Sequence, residues 1–387
     1  MVAAVRRGHS LRTVAGQFRV SPHKVQYWVQ RASGQRLDRV DWSTHPCGAQ
    51  QPVNHSTQAV EDQVLRLRSE LLQHSDLGEF GAVAIRREWI AQHLLPTQHV
   101  PAVRTVHRIL ERHGVLDGHY RQRQKPPPPG WYLPDVAAHR VDLDEFDMVS
   151  GLVLQNGPEV EVFNGVSLHG GWIACWPQLA VTAVTVRAAL QEHWREWGLP
   201  GYAQFDNDTR FQGPHQHPDV VGSVMRLCLS LGVTPVFAPP RETGFQAAIE
   251  ALNGRWQAKV WDRFHHESLT TLQAQSLKYQ AARRMRDAQR MDAAPARRPF
   301  PPAWRLDLQA HPQGQVIFLR RTNHQGEVVL LGHSFSVDPH WPHRLVRAEV
   351  DLNAQVIRFF RLRRREPMCQ PLLREVPYVL PQRRFKE

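Results

Sequence analysis

The sequence predicts a mixed α/β core set between helical modules on its N-terminal side and a small β-barrel on its C-terminal side. Three observations carry that prediction. From about residue 138, runs rich in Val, Leu, Ile and aromatics follow one another and then alternate with helical runs. Before residue 120, apolar residues recur at helical spacing in paired short segments. After Gln315, short segments alternate apolar with polar residues around turns.

A chain of 387 residues suggests about two to four domains. Lys and Arg number 48 against 36 Asp and Glu, and the resulting +12 favours a polyanionic partner, of which nucleic acid is the commonest. The four cysteines (Cys47, Cys175, Cys228, Cys369) are scattered without a CxxC pair, which argues against a disulfide framework and a zinc finger. The 22 histidines show no ligand spacing. No run approaches the roughly 18 apolar residues of a membrane span, and the first residues lack an apolar signal core. The expectation is a cytoplasmic protein with no membrane partner.

Residues 1–32 read as a helix-turn-helix domain. Leu11, Val14, Ala15 and Phe18 share one helical face, and Val25, Trp28 and Val29 another, with a break near Val20. Ser21 is placed to cap the second helix, with Pro22 at its first position. That helix can present Ser21, His23, Lys24, Gln26 and Tyr27 to phosphates and base edges of DNA. Residues 33–57, polar and aperiodic, read as a linker.

A second helix-turn-helix domain is expected over 58–120. Val60, Val64, Leu67 and Leu71 repeat at helical spacing, and a later helix places Val103, Val106, Ile109 and Leu110 inward. Arg104, His107, Arg108 and Arg112 would then face outward as on a recognition helix, and Gly114 would end it. Residues 121–137 open with RQRQKPPPPG and read as a stiff, basic linker.

Over 138–268 three consecutive strands are followed by helix, strand, helix, a short strand and a long helix. Residues 269–312 read as a basic helical segment, with Arg283, Arg284 and Arg286 as candidate phosphate contacts, and 313–387 as the barrel and tail.

Three carboxylates stand out by position. Asp142 lies at the first strand of the α/β unit, Asp206 ends the strand YAQFD, and Glu250 opens the long helix with Asn253 one turn on. Oxygen ligands converging from two strands and a helix suit hard divalent ions such as Mg²⁺ or Mn²⁺. Two such ions activate the attacking oxygen and stabilise the leaving one in phosphoryl transfer. Asp144 and Asp147 compete for the first position; by strand alternation Asp144 shares the face of Asp142, and Asp147 points away. Glu242 competes for the third but falls in the Pro/Gly loop APPRETG.

The segments RVDLDEFDMVSGLVL, QFDNDTRF and VTPVFAPPRETGFQAAIEALNGRW together resemble the catalytic core of DDE-type transposases related to retroviral integrases, closest to bacterial insertion-sequence enzymes. The resemblance covers residues 138–265 and implies an RNase H-like fold. It places the triad at Asp142 in Val-Asp-Leu, Asp206 in Asp-Asn and Glu250 in Ile-Glu-x-x-Asn. It further implies two Mg²⁺ or Mn²⁺ ions per site, with double-stranded DNA at element ends and target as substrate. DNA cleavage and strand transfer are the expected chemistry, carried out by a homo-oligomer on DNA. Arg255, Lys259 and Arg263 on the Glu250 helix would track phosphates. The sequence departs from the family pattern at Asn207-Asp208, Phe245-Gln246 and Ser167-Leu168-His169-Gly170. The competing expectations are a non-catalytic DNA-binding protein or assembly subunit, and a nuclease of the same fold.

Overall fold

A computed structural model describes residues 1–43, 56–92, 99–116, 128–155, 157–214, 217–364 and 366–382. Residues 44–55 of the expected 33–57 linker, with Cys47, and residues 121–127 of the expected 121–137 linker lie outside the described residues. The chain divides into two units, Met1–Asp62 and Gln63–Glu387.

The first unit holds α1 (Val2–Arg6), α2 (Leu11–Phe18) and α3 (Pro22–Arg31). Ser10 caps α2 by accepting the Thr13 N–H at 3.1 Å, and Ser21 caps α3 through the Lys24 N–H at 3.3 Å. Arg19, left-handed at φ 51°, makes the tight turn between them. Ala4, Val14, Ala15 and Val25 close one small core, and Val2, Trp28, Ala32 and Val40 a second.

In the second unit, helix α4 (Gln58–His74), begun in the first, is followed by α5 (Ala82–Ala91) and α6 (Val103–Arg112). Val106, Ile109 and Leu110 are buried as their spacing predicts, whereas Val103 is exposed. The Arg68 guanidinium donates to Phe80 O at 3.1 Å and Val115 O at 2.7 Å, tying α4 to both neighbours.

Then come α7 (Pro134–Ala137) and three antiparallel strands, β1 (Leu143–Val153), β2 (Glu159–Ser167) and β3 (Ile173–Gln178). Helix and strand alternate after them: α8 (Ala183–Trp197), β4 (Tyr202–Phe205), α9 (Thr209–Gln212), α10 (Ser223–Ser230), β5 (Thr234–Phe237) and α11 (Ala247–Trp256). A π-helical turn, Gln257–Trp261, prolongs α11, and α12 (Leu269–Asp292) follows. The mixed α/β core read from the sequence is therefore present.

The C-terminal barrel is corrected. Strands β6 (Gln315–Arg321), β9 (Leu345–Asp351), β10 (Val356–Arg361) and β11 (Leu372–Pro377) extend the core sheet, in the order β11-β10-β9-β6-β5-β4-β1-β2-β3. Only β7 (Glu327–Leu330) and β8 (His333–Ser336) pair apart, and Val328 and Leu330 of that hairpin enter the same hydrophobic cluster as Val346 and Phe359. The reason is the free edge of β5, which pairs in parallel with β6 through Val236–Ile317 and Phe237–Phe318. Alternating apolar residues satisfy an added sheet strand as well as a barrel strand, so the pattern alone did not separate the two.

One side-chain row sets the register of the central strands. Phe146, Phe205, Phe237 and Phe318, on the parallel strands β1, β4, β5 and β6, lie ring against ring at centroid distances of 5.5, 6.2 and 5.2 Å. Phe163 of β2 stacks on the other side of Phe146 at 5.5 Å. Gly165 sits opposite Phe146, and a Cβ there would lie 2.6 Å from the ring, so only glycine leaves the row its space. This face packs under α8 and α10, and the other face carries α11 and the Trp131–Leu133 segment.

Candidate active site

The parallel pairing of β1 with β4 matches Leu143 with Tyr202 and Glu145 with Gln204. Continuing that register two residues brings Asp147 level with Asp206. Each follows a phenylalanine of the row, Asp206 just past the carboxyl end of β4 and Asp147 midway along the longer β1. Asp147 and Glu145 share the face covered by α11, whose first turn carries Glu250.

Asn253, one turn after Glu250, donates its amide to Asp147 Oδ2 at 2.8 Å and accepts one from Asn164 Nδ2, also at 2.8 Å. Glu145, buried one pleat earlier, accepts the Ile249 N–H at 2.9 Å and so holds the start of α11 against β1. Burial pushes the Glu145 carboxyl up to about 8, opposed by the N–H groups of Ile249 and Ala248 and reinforced by the charge of Glu250. The Asp147 carboxyl is pushed up to about 6, first by burial and then by the charges of Asp206 and Glu250, against hydrogen bonds from Met148 N–H and Asn253. Asp206 is likewise raised, chiefly by burial, while its Oδ1 accepts the Asp208 N–H at 2.9 Å. Asp147 thus lies in the field of the Asp206 and Glu250 charges. Among the described residues no three His, Cys, Asp or Glu side chains stand close enough to enclose an ion as they lie.

Asp142 is not in this group. It precedes β1, level with Gly201, whose N–H donates to its carbonyl at 3.2 Å. Five residues separate that level from Asp206, about 16 Å along a strand at roughly 3.3 Å per residue. Its carboxylate is sealed on the opposite face, where Oδ2 meets Arg297 Nη2 at 3.0 Å and Oδ1 takes the N–H groups of Leu143 and His169, each at 3.0 Å. Asp144 binds the same guanidinium and accepts the Trp194 indole N–H at 3.1 Å. Asp142 and Asp144 thus lie on one face of β1 and Asp147 on the other, as strand alternation predicts. The overlooked signal was the repeated Phe-Asp dipeptide, Phe146-Asp147 and Phe205-Asp206, which lines up when the two phenylalanines stack.

Glu242, the rival for the third position, is engaged by Arg321. The departures at Asn207-Asp208 and Phe245-Gln246 also have partners. Asp208 caps α9 and pairs with Arg210 at 2.9 Å, and Asn207 donates to Ala238 O at 2.7 Å. Phe245 is buried against Trp131 and Tyr132, and its carbonyl accepts the Tyr132 hydroxyl at 2.9 Å and the Gln204 amide at 2.7 Å. At the third departure, Ser167 ends β2 and its Oγ accepts the Trp172 N–H at 3.2 Å.

Of the basic candidates, His23, Lys24, Gln26 and Tyr27 on α3 are exposed with Ser21, whose hydroxyl is spent on the cap. Arg104, His107 and Arg108 on α6 and Arg255 on α11 are exposed too. Lys259 and Arg263 have partners within the chain. Lys259 stands over the Phe80 ring at 5.6 Å, and Arg263 donates to the carbonyls of Ser75 and Gln73, which fasten the end of α4. Arg283, Arg284 and Arg286 are similarly engaged by Asp287, Glu196 and Glu79.

No family model matches the chain, and no curated protein matches it. Among solved structures, the simian T-cell lymphotropic virus intasome is similar at 12% identity and a TM-score of 0.32, over 68% of this chain and 88% of that one. The HTLV-2 integrase catalytic core domain in complex with magnesium is similar at 11% identity and TM-score 0.26, over 41% of this chain and 87% of that one. The BIV integrase catalytic core is similar at 17% and 0.26, over 35% and 80%. Likeness at this level carries no weight for activity, and the functional reading rests on the chain's own side chains. Among the described residues no helix is long and apolar enough to cross a membrane.

Proposed function

We propose that the chain is a metal-dependent polynucleotidyl transferase of the transposase and integrase kind, built on an RNase H-like core and acting on double-stranded DNA. The observation that carries this reading is the level placement of Asp147 on β1 and Asp206 at the end of the adjacent parallel β4, with Glu250 on the helix that packs against β1. These three replace the set with Asp142. Their donors are all carboxylate oxygens, the set that suits Mg²⁺ or Mn²⁺. The Asp147 carboxyl is raised first by burial and then by the charges of Asp206 and Glu250, and a cation bound beside it would favour its charged form. The half-buried pair Asp147 and Asp206 would form the fixed part of the site, and the exposed Glu250 side chain would complete it by a change of rotamer. Bound there, two divalent ions supply activation of the attacking oxygen and stabilisation of the leaving one.

The chain's own residues supply the rest. Asn253 aims one oxygen of Asp147 outward, and Asn164 fixes which way the Asn253 amide faces. Glu145 sets the start of α11 and so the height of Glu250 above the sheet. The exposed faces of α3 and α6 hold DNA through phosphate and base-edge contacts, and a homo-oligomer brings two ends together.

The test incubates the protein with cut DNA ends and Mg²⁺ or Mn²⁺, comparing wild type with Asp147→Asn. Joined product lost in the variant is the expected result. Hydrolysis without joining would make the protein a nuclease, and DNA binding with no metal-dependent product would make it a non-catalytic binder.

A further inference from the structure

We propose that Arg320, contributed by β6, is an anion-binding residue that holds a DNA phosphate beside the Asp206-Asn207 turn. The inference rests on the reading above that nucleic acid is the substrate, but it needs no metal chemistry.

The four parallel strands β1, β4, β5 and β6 all end on the same side of the sheet. Arg320 stands two residues beyond the Phe318 rung of the phenylalanine row, as Asn207 stands two beyond Phe205. The two side chains meet there, with Arg320 Nη2 donating to Asn207 Oδ1 at 2.9 Å. Nη1 donates to Leu319 O at 2.9 Å and Ala238 O at 3.4 Å, and the guanidinium stands 5.0 Å from the Phe318 ring centre. All three acceptors are neutral.

Three other guanidiniums of the sheet and its flanks have carboxylates: Arg210 has Asp208 and Glu161, Arg297 has Asp142 and Asp144, and Arg347 has Glu349. Among the described residues Arg320 has none. Arg320 is half-buried, and a guanidinium partly taken from water without a counter-ion is costly; burial lowers its pKa to about 10, which still leaves it cationic near neutral pH. The cost is met when the ligand brings the anion. Nε–H and the second hydrogen on Nη2 make no bond among the described residues, which leaves two donors for a phosphate to take bidentately. The position fits the chemistry. Carboxylates beside a polyanion repel it, and a cation two strands from β4 offsets that repulsion without competing for metal. It also gives the added strand β6 a function that the core sheet alone would lack.

The experiment measures binding of a labelled duplex DNA to the full chain by fluorescence anisotropy, with EDTA present, for wild type, Arg320→Gln and Arg320→Lys. Removing one phosphate contact lowers the salt slope by about 0.9, so between about 50 and 200 mM NaCl the wild type should lose about 3.5-fold more affinity than Arg320→Gln. Arg320→Lys keeps the charge and should keep the wild-type slope. Unchanged slopes in both variants, with melting lowered in both, would mean that Arg320 only ties β6 to β4 and would overturn the proposal. If Arg320→Gln does not fold, Arg320→Met, which keeps the apolar stem and loses the charge, takes its place, and a wild-type slope in that variant would overturn the proposal equally. A slope change in a protein that gives no metal-dependent product would uphold the anion site and sink the transferase reading, so the two fail separately.

Discussion

Asn253 donates to Asp147 across the gap between α11 and β1, and that one 2.8 Å bond joins the helix bearing Glu250 to the strand bearing Asp147. Asn164 takes up the other end of the same amide, so the Asn253 side chain has a single satisfactory orientation. Removing a partner that orients a ligand costs about 10–100-fold in metal affinity or activity. Asn253→Ala should therefore lower metal-dependent product formation by that range, and Asp147→Asn by more. Product assays over a Mg²⁺ titration test both; full activity in Asp147→Asn would return the first carboxylate to Asp142.

Asp142 and Asp144 should matter for a different reason. They share the buried Arg297, whose guanidinium also stacks on Trp172 at 4.4 Å. Breaking a buried ion cluster by removing one partner leaves uncompensated charge and costs about 3–5 kcal/mol. Arg297→Met should lower the denaturant midpoint accordingly and leave DNA binding by α3 unchanged. A variant as stable as the wild type would show that the pairing contributes nothing net.

His193 makes an acid-labile point in the core. It is buried between Phe146 and Trp176, and burial, followed by the charges of Arg297 and Arg284, lowers its pKa to about 3. The unfolded chain binds this proton near pH 6.5, so folding is unaffected above that value. As pH falls from about 6.5 towards about 3, the unfolded state gains the proton and the fold loses up to about 1.4 kcal/mol per pH unit from this group. His193→Gln should show a shallower loss of stability over the same window in denaturant titrations. Parallel pH curves for the two proteins would exclude the assignment.

How much of this was legible follows from what each signal encodes. Caps and helical spacing are local, so Ser21, Pro22 and the inward face of α6 could be read directly. Asp206 and the Glu250–Asn253 pair were marked by short contexts within one element. The first carboxylate was not, because which aspartate is level with Asp206 depends on the register between strands about 60 residues apart, set by a row of stacked phenylalanines. The fate of Arg263 was equally hidden, since its partners, the carbonyls at the end of α4, lie more than 180 residues away in sequence.

That last contrast gives a sharp prediction for the basic residues. Lys24 is exposed on α3 with its ammonium open to solvent, whereas Arg263 spends its guanidinium on Ser75 O and Gln73 O. A lysine that neutralises a phosphate releases a counterion, so Lys24→Ala should weaken duplex binding uniformly across sequences and reduce the salt slope by about 0.9. Arg263→Ala should leave the slope unchanged and instead lower the melting temperature, because two helix-end carbonyls lose their donors, at about 1–3 kcal/mol each if left buried. Anisotropy titrations at several NaCl concentrations, run beside thermal melts, read both effects on the same samples. A flattened slope in Arg263→Ala would mean that its guanidinium leaves α4 to meet DNA, and the phosphate track along the Glu250 helix would stand after all.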